Sequence, residues 1–299
     1  MREPVRLTVP ADAAGRRLDT WLAQALASYS RSELARSIDA GLVKVDGHAV
    51  TRSMRLAGGE HVTIRPVEPR SQIPAAAEPR IVFEDASLLV VDKPAGLVVH
   101  PARGHRAETL TELLERNADG RWRAHPVHRL DRDTSGLMVV AKEERTRARL
   151  ALALRKRELE REYLALVAGR PATRSGTIDA PLGRDRVRRT RTSADTAKAR
   201  RAVTHFEVEQ PVGQYTLLRV CLETGRTHQI RAHLAMIDLP VAGDPDYGGR
   251  GALELKRQFL HSARLALTHP ATGDRLEWRS DLPVDLTEAL ERARLGEDH

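Results

Sequence analysis

A carboxylate between two arginines is the feature of this sequence with the clearest chemical potential. Asp131 lies between Arg129 and Arg132 in the stretch HRLDRDTSG (128–136), and the apolar run LMVVA (137–141) follows at once. Neighbouring cations favour the ionised form of a carboxylate, and carboxylates placed in this way are frequent at functional sites. The stretch therefore offers an ionised aspartate in a polar turn that leads into a predicted strand.

Several interpretations compete for Asp131. A turn or helix cap beside TSG (134–136) is the simplest. A protein-kinase loop would have Leu after the aspartate and then Asn, whereas Leu130 precedes Asp131 and the sequence has no glycine-rich phosphate loop. Ser135 lacks the G-x-S-x-G pattern of a nucleophile elbow. A magnesium phosphatase using Asp131 and Asp133 stays open, although its nucleophile usually follows an apolar strand. An aspartate that acts as nucleophile or base without a metal also stays open.

A second polar cluster, ETGRTHQIRAHL (223–234), runs from a predicted strand through a glycine turn into a predicted helix. Apolar residues at 230, 234 and 237 form a helical stripe, and Arg231 flanks it. The Arg231 guanidinium can therefore lie at the edge of the core, where it would need a carboxylate partner. His228 and His233 are five residues apart, which does not fit a helical zinc pair. A solvated face of arginine and histidine is the alternative.

Three further segments are less specific. VDKPAGLVVHP (91–101) reads as an ordinary turn after a strand, and GDPDYGG (243–249) as a loop without specificity of its own. Residues 184–201 hold eight arginines and lysines against two aspartates. This basic stretch is either a solvated loop or a loop that contacts phosphates, and Arg188, Arg189 and Arg191 are its candidate RNA contacts.

The composition limits the class of protein. Of 299 residues, 49 are Lys or Arg and 41 are Asp or Glu, and the net charge of +8 favours a polyanionic partner such as nucleic acid. The single cysteine, Cys221, excludes an internal disulfide framework or a cysteine-based zinc cluster, and its strand pattern predicts a small buried residue. No apolar run approaches the ~18 residues of a membrane span, and the N-terminal residues lack the apolar core of a signal peptide. We therefore expect a cytoplasmic protein.

The elements that must position these residues form two predicted modules. In the first, a helix at 17–26 precedes a capping box (Ser30, Glu33), a helical stripe (34, 38, 42) and strands at 43–45 and 61–64. A proline-rich linker follows. Beyond it, predicted strands (81–83, 88–91, 137–141, 162–167, 216–222) alternate irregularly with predicted helices (109–116, 145–160, 227–237). The absence of a βαβ repeat favours an α+β domain over a doubly wound sheet.

Six blocks in the same order identify a family. HRLDRDTSGLMVVAK (128–142) resembles the signature of RluA-type pseudouridine synthases, and five other segments resemble further blocks of that family. These are VDKPAGLVVHP (91–101), REYLALV (161–167), LETGRTHQIRAHL (222–234), GDPDYGG (243–249) and LHSARLALTHPATG (260–273). The N-terminal module resembles the S4 RNA-binding domain. The resemblance implies a small α/β S4 domain at 12–66, a linker at 67–79, and a catalytic domain at 80–299. In the catalytic domain it implies a mixed, largely antiparallel sheet with flanking helices.

The resemblance also implies an activity and roles for single residues. It is closest to the RluD branch, so we expect isomerisation of uridines to pseudouridine in RNA, most of all 23S ribosomal RNA. Asp131 matches the catalytic aspartate, acting as nucleophile or base, and Arg231 its paired arginine. Tyr163 matches the tyrosine that stacks on the base and is a candidate for a later proton transfer. Arg129 matches the arginine that enters the RNA stack.

Further expectations concern partners. Arg31, Arg36 and Lys44 of the S4-like module and Arg226 are predicted RNA contacts. No cofactor, metal or membrane is expected, and the predicted partner of the monomeric enzyme is ribosomal RNA or a large-subunit precursor. A non-catalytic RNA-binding protein is the rival interpretation. The chain has ARRA (199–202) where relatives usually have Gly-Lys-Pro-Ala, and Ser262 where alanine is commoner. No role is assigned to Ser262.

Overall fold

The computed structural model describes residues 5–26, 34, 37–38, 41–51, 53–65, 78–100, 108–185, 192–193, 196 and 199–297. The chain divides into two compact units. The described residues of the smaller unit lie between positions 5 and 65, and those of the larger unit lie between 78 and 297. The domain boundaries expected from the sequence stay predictions.

The smaller unit combines one described α-helix with a four-stranded antiparallel sheet. Alternate residues of its strands face a core that also contains Leu18, Trp21 and Leu22 of the helix. The predicted strands 43–45 and 61–64 are confirmed, whereas Ser30 and Glu33 of the predicted capping box lie outside the described residues. The elements are α1 (Leu18–Ala25) and strands β1 (Val5–Thr8), β2 (Val43–Val45), β3 (His48–Ala49) and β4 (His61–Ile64), in the sheet order β1-β4-β2-β3.

The larger unit is built around a ten-stranded sheet. Its strands are β5 (Arg80–Glu84), β6 (Leu88–Lys93), β7 (His125–Pro126), β8 (Ser135–Ala141), β9 (Glu160–Ala168), β10 (Ser175–Asp179), β13 (Val203–Val212), β14 (Tyr215–Leu222), β15 (Leu260–Thr268) and β16 (Arg275–Arg279). The order is β10-β13-β14-β9-β15-β8-β6-β5, with β16 beside β15 and β7 beside β8. Strands β11 (Gly183–Arg184) and β12 (Thr192–Ser193) form a separate pair. Every described pairing is antiparallel except that of β8 with β15, which confirms the expected mixed, largely antiparallel α+β architecture.

Strand β8 explains why the run after Asp131 is continuously apolar. All seven of its residues are buried. Met138 and Val140 pack into one hydrophobic cluster, while Leu137 and Val139 pack into another. A strand covered on both faces has no solvent side on which polar residues would alternate. The turn that carries Asp131 is therefore attached to one of the most deeply buried strands of the sheet.

Helices flank the sheet, and two predictions about this unit are wrong. The helices are α2 (Leu110–Ala118), α3 (Glu144–Lys156), α4 (Gln229–Met236) and α5 (Val284–Leu295). Helix α3 does not reach residue 160, because Arg157 adopts a left-handed conformation with φ +67°. Cys221 is exposed rather than buried, since it lies opposite His205 and Glu162 on the polar side of the sheet. Among the described residues, no helix combines the length and apolarity that crossing a membrane requires.

Candidate active site

Asp131 lines a pocket together with other predicted site residues. It lies in the turn before β8, where the Thr134 backbone N–H donates to its carbonyl oxygen at 3.1 Å. The Asp131 side chain is 15% exposed, so it is both accessible and partly desolvated. Arg129, Tyr163 and Arg231 also line this pocket. The structure therefore brings together four residues that are spread over a hundred positions of the sequence.

Arg231 is the cation that faces Asp131. Its Nη1 lies 3.4 Å from Asp131 Oδ2, and its side chain is only 4% exposed. The Arg231 Nε and Nη2 donate to the two carboxylate oxygens of Asp244 at 2.6 and 2.7 Å, and Nη2 also donates to Asp246 at 3.0 Å. Burial alone would lower the pKa of the guanidinium, but Asp244 and Asp131 outweigh burial and raise it. Arg231 is thus a permanent positive charge beside Asp131.

His228 is a second basic group near Asp131. It precedes α4 in a left-handed conformation with φ +54°, and its Nε2 lies 4.0 Å from Asp131 Oδ2. Its Nδ1 is 3.3 Å from the Tyr247 hydroxyl. Burial lowers the pKa of His228, while Asp131 acts in the opposite direction. The sequence pattern dismissed His228 as a zinc ligand and gave no reason to place it beside the aspartate.

Tyr163 projects from β9 into the same pocket and is 3% exposed. Burial raises the pKa of its phenol, against the opposing effect of Arg161, and the Asp131 carboxylate adds to the rise. The phenol is therefore protonated at neutral pH, which suits stacking better than proton abstraction. Ser262, which faces Tyr163 from β15, donates from Oγ to the Leu137 carbonyl at 3.0 Å.

A buried lysine at the end of β6 holds the turn around Asp131. Lys93 ends β6 with no exposed surface, and its Nζ donates to the carbonyls of Pro94, Leu97 and Arg132 at 2.8, 2.9 and 3.0 Å. All three ammonium protons are therefore used. The sequence alone predicted an ordinary turn for residues 91–101. Only the fold shows that the Arg132 carbonyl lies within hydrogen-bonding distance of Lys93 Nζ.

The remaining predicted RNA contacts are spread over the molecule. Arg129 is exposed at the rim of the pocket, and Arg226 lines it while donating from Nε to the Arg201 carbonyl at 3.2 Å. Lys44 is exposed on β2 of the smaller unit. Outside the described residues lie the other five, Arg31, Arg36, Arg188, Arg189 and Arg191.

Asp133, the other aspartate of the turn, has a different arginine partner from Asp131. Arg132 Nη2 donates to Asp133 Oδ2 at 2.7 Å, and Arg132 Nε donates to Oδ1 at 2.9 Å. Across the described ranges, no group of three or more His, Cys, Asp and Glu side chains is arranged to hold a metal ion. The two aspartates therefore have separate partners, Arg231 for Asp131 and Arg132 for Asp133.

Comparison with known proteins agrees with this geometry. A family model described as RNA pseudouridylate synthase matches residues 87–236, and an S4 domain model matches residues 16–62. The chain is 43% identical to ribosomal large subunit pseudouridine synthase D of Nitrosomonas europaea, over 97% of this chain and 88% of that protein. It is also 43% identical to the protein of that name from Pseudomonas aeruginosa, over 93% and 92% of the two chains.

Solved structures give the same result. The structure of human RNA pseudouridylate synthase domain containing 4 matches 72% of this chain and 92% of its own, with a TM-score of 0.58 and 25% identity. The sequence signature, the pocket around Asp131 and these similarities agree. The chain belongs to the RNA pseudouridylate synthase family and is a pseudouridine synthase, an isomerase with an N-terminal S4 domain.

Proposed function

We propose that the protein converts specific uridines of large-subunit 23S ribosomal RNA into pseudouridine, using Asp131 as nucleophile or base and no cofactor. The contact between Arg231 and Asp131 in the shared pocket is the observation that carries the proposal. The names of the relatives that are 43% identical support the choice of large-subunit RNA. The same pocket has polar groups that an extruded nucleotide can contact.

The reaction sets clear demands on this pocket. The N1–C1′ bond of the uridine breaks, the uracil turns, and a bond forms between C5 and C1′. The hydrogen on C5 then leaves as a proton while N1 gains one, so the product is an isomer of the substrate. No electrons or external groups are transferred, which is why no cofactor is needed. An ionised Asp131 starts the sequence either by attacking C1′ or by taking the C2′ proton.

Arg231 and Tyr163 meet two of these demands. Arg231 places a positive charge 3.4 Å from Asp131 in a partly desolvated site, so the reacting carboxylate has a counter-charge. Tyr163 lines the pocket with a buried aromatic ring on which the extruded uracil can stack. Stacking of a base on an aromatic side chain contributes ~1–3 kcal/mol. This gain offsets part of the few kcal/mol that removal of a base from its stack costs.

The exposed arginine Arg129 and the S4 domain complete the proposal. Arg129 lies at the pocket rim, two residues before Asp131, where it can occupy the space that the uridine leaves in the RNA stack. We assign RNA docking to the S4 domain, proposed at 12–66, through Lys44, Arg31 and Arg36. The catalytic domain is proposed at 80–299, after a linker at 67–79. The charge of +8 supports binding to a polyanion.

The test replaces Asp131 by Asn in the full-length protein and maps pseudouridine in 23S ribosomal RNA. A deletion strain is complemented with either the wild type or the variant. Asn keeps the side-chain shape but cannot become a carboxylate, so we expect loss of every site that the wild type restores. Binding of purified Asp131→Asn to the RNA should persist, which separates loss of chemistry from loss of docking.

Asp133→Asn is the matched control. Asp133 lies two residues from Asp131 but pairs with the exposed side chain of Arg132 rather than with Arg231. We expect this variant to restore all sites. Persistence of all sites in Asp131→Asn, with no second enzyme that forms them, would overturn the proposal. RNA binding without pseudouridine formation by the wild-type protein would favour the rival role of a binding protein.

A further inference from the structure

A second depression adjoins the catalytic pocket on the side of Tyr163. It is an open groove of about 300 Å³, and Asp131, Tyr163, Arg129 and Arg226 line both cavities. Arg161 and His128 line only the groove. We call it the arginine groove, after Arg129, Arg161 and Arg226. A nucleotide with its ribose at Asp131 would therefore have part of its backbone at or in this groove.

Arg161 is a buried cation for which the described residues provide no carboxylate. It is 5% exposed, and within the described part of the chain it forms no ion pair and its enclosed Nε has no hydrogen-bond partner. Arg231 and Arg257, which are 3% and 8% exposed, each donate two hydrogen bonds to one aspartate. The Tyr163 phenol is a hydrogen-bond partner of the guanidinium but supplies no counter-charge. Burial of a charge without a counter-ion is costly, so this position favours a bound anion.

His128 adds a second unmatched donor to the same groove. The Val139 backbone N–H donates to His128 Nε2 at 3.3 Å, so Nε2 carries no hydrogen. Burial and the neighbouring Arg161 lower the pKa of His128 to about 3, which makes the imidazole neutral at physiological pH. A neutral imidazole has one N–H, which must then be at Nδ1. Nδ1 is buried and has no partner among the described residues. The groove is therefore short of acceptor oxygens.

The excess of positive charge in the groove favours a ligand that is an anion and a hydrogen-bond acceptor. Among the described residues, three arginines line the groove, and its one carboxylate, Asp131, already faces Arg231. A phosphodiester supplies negative charge and several acceptor oxygens, and arginine binds phosphate oxygens through two parallel hydrogen bonds. Gly225 leaves room for such a contact, because a Cβ there would lie 3.4 Å from Arg161 Nη1. The two phosphates that flank a uridine are joined to its own ribose, so neither lies far from C1′.

We propose that the arginine groove is a phosphodiester subsite, in which Arg161 binds a backbone phosphate that flanks the target uridine. The inference rests on the proposed function, since it requires that the ribose of that uridine reaches Asp131. Arg161 is then a binding residue for the substrate strand, and His128 is the neutral donor beside it.

The test neutralises one phosphate at a time. Stem-loop RNAs carrying a methylphosphonate in place of either flanking phosphate are titrated against the full-length wild type and against Arg161→Met. We expect one of the two linkages to weaken binding to the wild type roughly ten- to hundredfold, as for loss of a charged hydrogen bond. The same linkage should have little effect on Arg161→Met, because the partner of that phosphate is already missing. Equal losses in both proteins at both linkages would overturn the subsite.

Controls separate this result from charge, folding and catalysis. Arg264→Met removes the same charge from a residue that pairs with Glu160 and Glu277, and it should keep the full methylphosphonate effect. Arg161→Met should unfold no more readily than the wild type, because it removes an unpaired buried charge. If it does not fold, Arg161→Gln is titrated against the same RNAs, and an unchanged methylphosphonate effect in that variant also counts against the subsite. Persistence of all sites of 23S ribosomal RNA in the Asp131→Asn strain would instead refute the proposed function.

Discussion

Arg231 donates hydrogen bonds to three carboxylates, and these bonds differ in number and length. Asp244, fully buried, takes two hydrogen bonds at 2.6 and 2.7 Å, Asp246 takes one at 3.0 Å, and Asp131 takes a longer one at 3.4 Å. Asp244 thus fixes the guanidinium plane, while Asp131 remains only loosely held and free to react. A shorter contact with Asp131 would stabilise the carboxylate at the expense of its reactivity. The firm partner and the reacting partner of Arg231 are different residues.

Replacement of Asp244 by Asn tests this division. Asn keeps the shape but leaves the buried Arg231 without its main counter-charge, so we expect the free energy of unfolding to fall by about 3 kcal/mol. Misplacement of Arg231 should lower the single-turnover rate roughly a hundredfold. Denaturant unfolding and single-turnover assays measure the two effects. The control Asp246→Asn changes a side chain that is 38% exposed and should cost less than about 1 kcal/mol. Equal effects of the two variants would contradict the division.

At the level of single residues, the sequence predicted that Arg231 requires a carboxylate partner but did not identify that partner. The apolar stripe beside Arg231 indicated that its guanidinium would require a carboxylate, and the structure confirms this. Asp244 belongs to a segment whose glycines and proline suggested only a loop. Its role depends on a contact between a helix and a loop that no local periodicity encodes. That none of the described carboxylates pairs with Arg161 is equally invisible, because a strand pattern does not show what a side chain faces.

Among the elements, the parallel pair of β8 and β15 requires a close approach. Gly136 has φ +109°, and a Cβ there would lie 2.3 Å from the Ser262 carbonyl oxygen. We expect Gly136→Ala to lower the free energy of unfolding by about 3 kcal/mol or more, since it combines a backbone clash with an unfavourable φ. Gly120 has φ +74° but no atom within 4 Å of a Cβ, so Gly120→Ala should cost only about 1 kcal/mol. Chemical denaturation of both variants measures the difference, and similar decreases would show that the close approach is unimportant.

Lys93 links β6 to the turn of Asp131 and gives a pH-dependent test. Burial lowers the pKa of its ammonium from 10.5 to about 7, with the carboxylates of Asp133 and Asp131 acting in the opposite direction. The unfolded chain therefore binds more protons than the folded one between pH 7 and 10.5, so this group makes the free energy of unfolding rise with pH in that window. The slope is at most about 1.4 kcal/mol per pH unit.

Lys93→Met removes this dependence. We expect the variant to be less stable because the carbonyls of Pro94 and Leu97 lose the Lys93 donor, at about 1–3 kcal/mol for each unsatisfied group, whereas the Arg132 carbonyl still accepts from the Gly96 N–H. The gap in free energy of unfolding between the wild type and the variant should widen as the pH rises from about 7 to about 9. Denaturant titrations at several pH values measure the gap. A gap that is constant or narrows with pH would contradict the assignment of this titration to Lys93.

Elements were predictable where the burial pattern is local. Period-two alternation located β2 and β4, and the capping box Thr109 and Glu112 lies at the start of a helix that the sequence predicted. The predicted end of α3 was too late, because both the arginine-rich helix and the start of the following strand are polar. Only the left-handed conformation of Arg157 marks the end of the helix. Sheet order was beyond the sequence, since β8 pairs with β15 across more than a hundred residues.

At the scale of the whole molecule, charge determines how the protein meets RNA. The family follows from six blocks whose order spans most of the chain, and the net charge of +8 predicts affinity for a polyanion. Neither property identifies the arginines that contact phosphate. Ionic-strength dependence does so, because each phosphate that the protein binds releases counterions and adds to the slope of log affinity against log salt concentration.

The basic stretch gives the last prediction. Replacement of Arg188, Arg189 and Arg191 by Ala should weaken RNA binding and flatten the slope by up to about 0.7 for each single-strand phosphate that the variant no longer binds, or about 2 in total. Fluorescence titrations at several salt concentrations measure the slope. The control removes three exposed arginines that already pair with glutamates: Arg145, Arg147 and Arg294. An equal flattening in the control would show that net charge matters, whereas flattening confined to the first variant would show that this stretch contacts RNA.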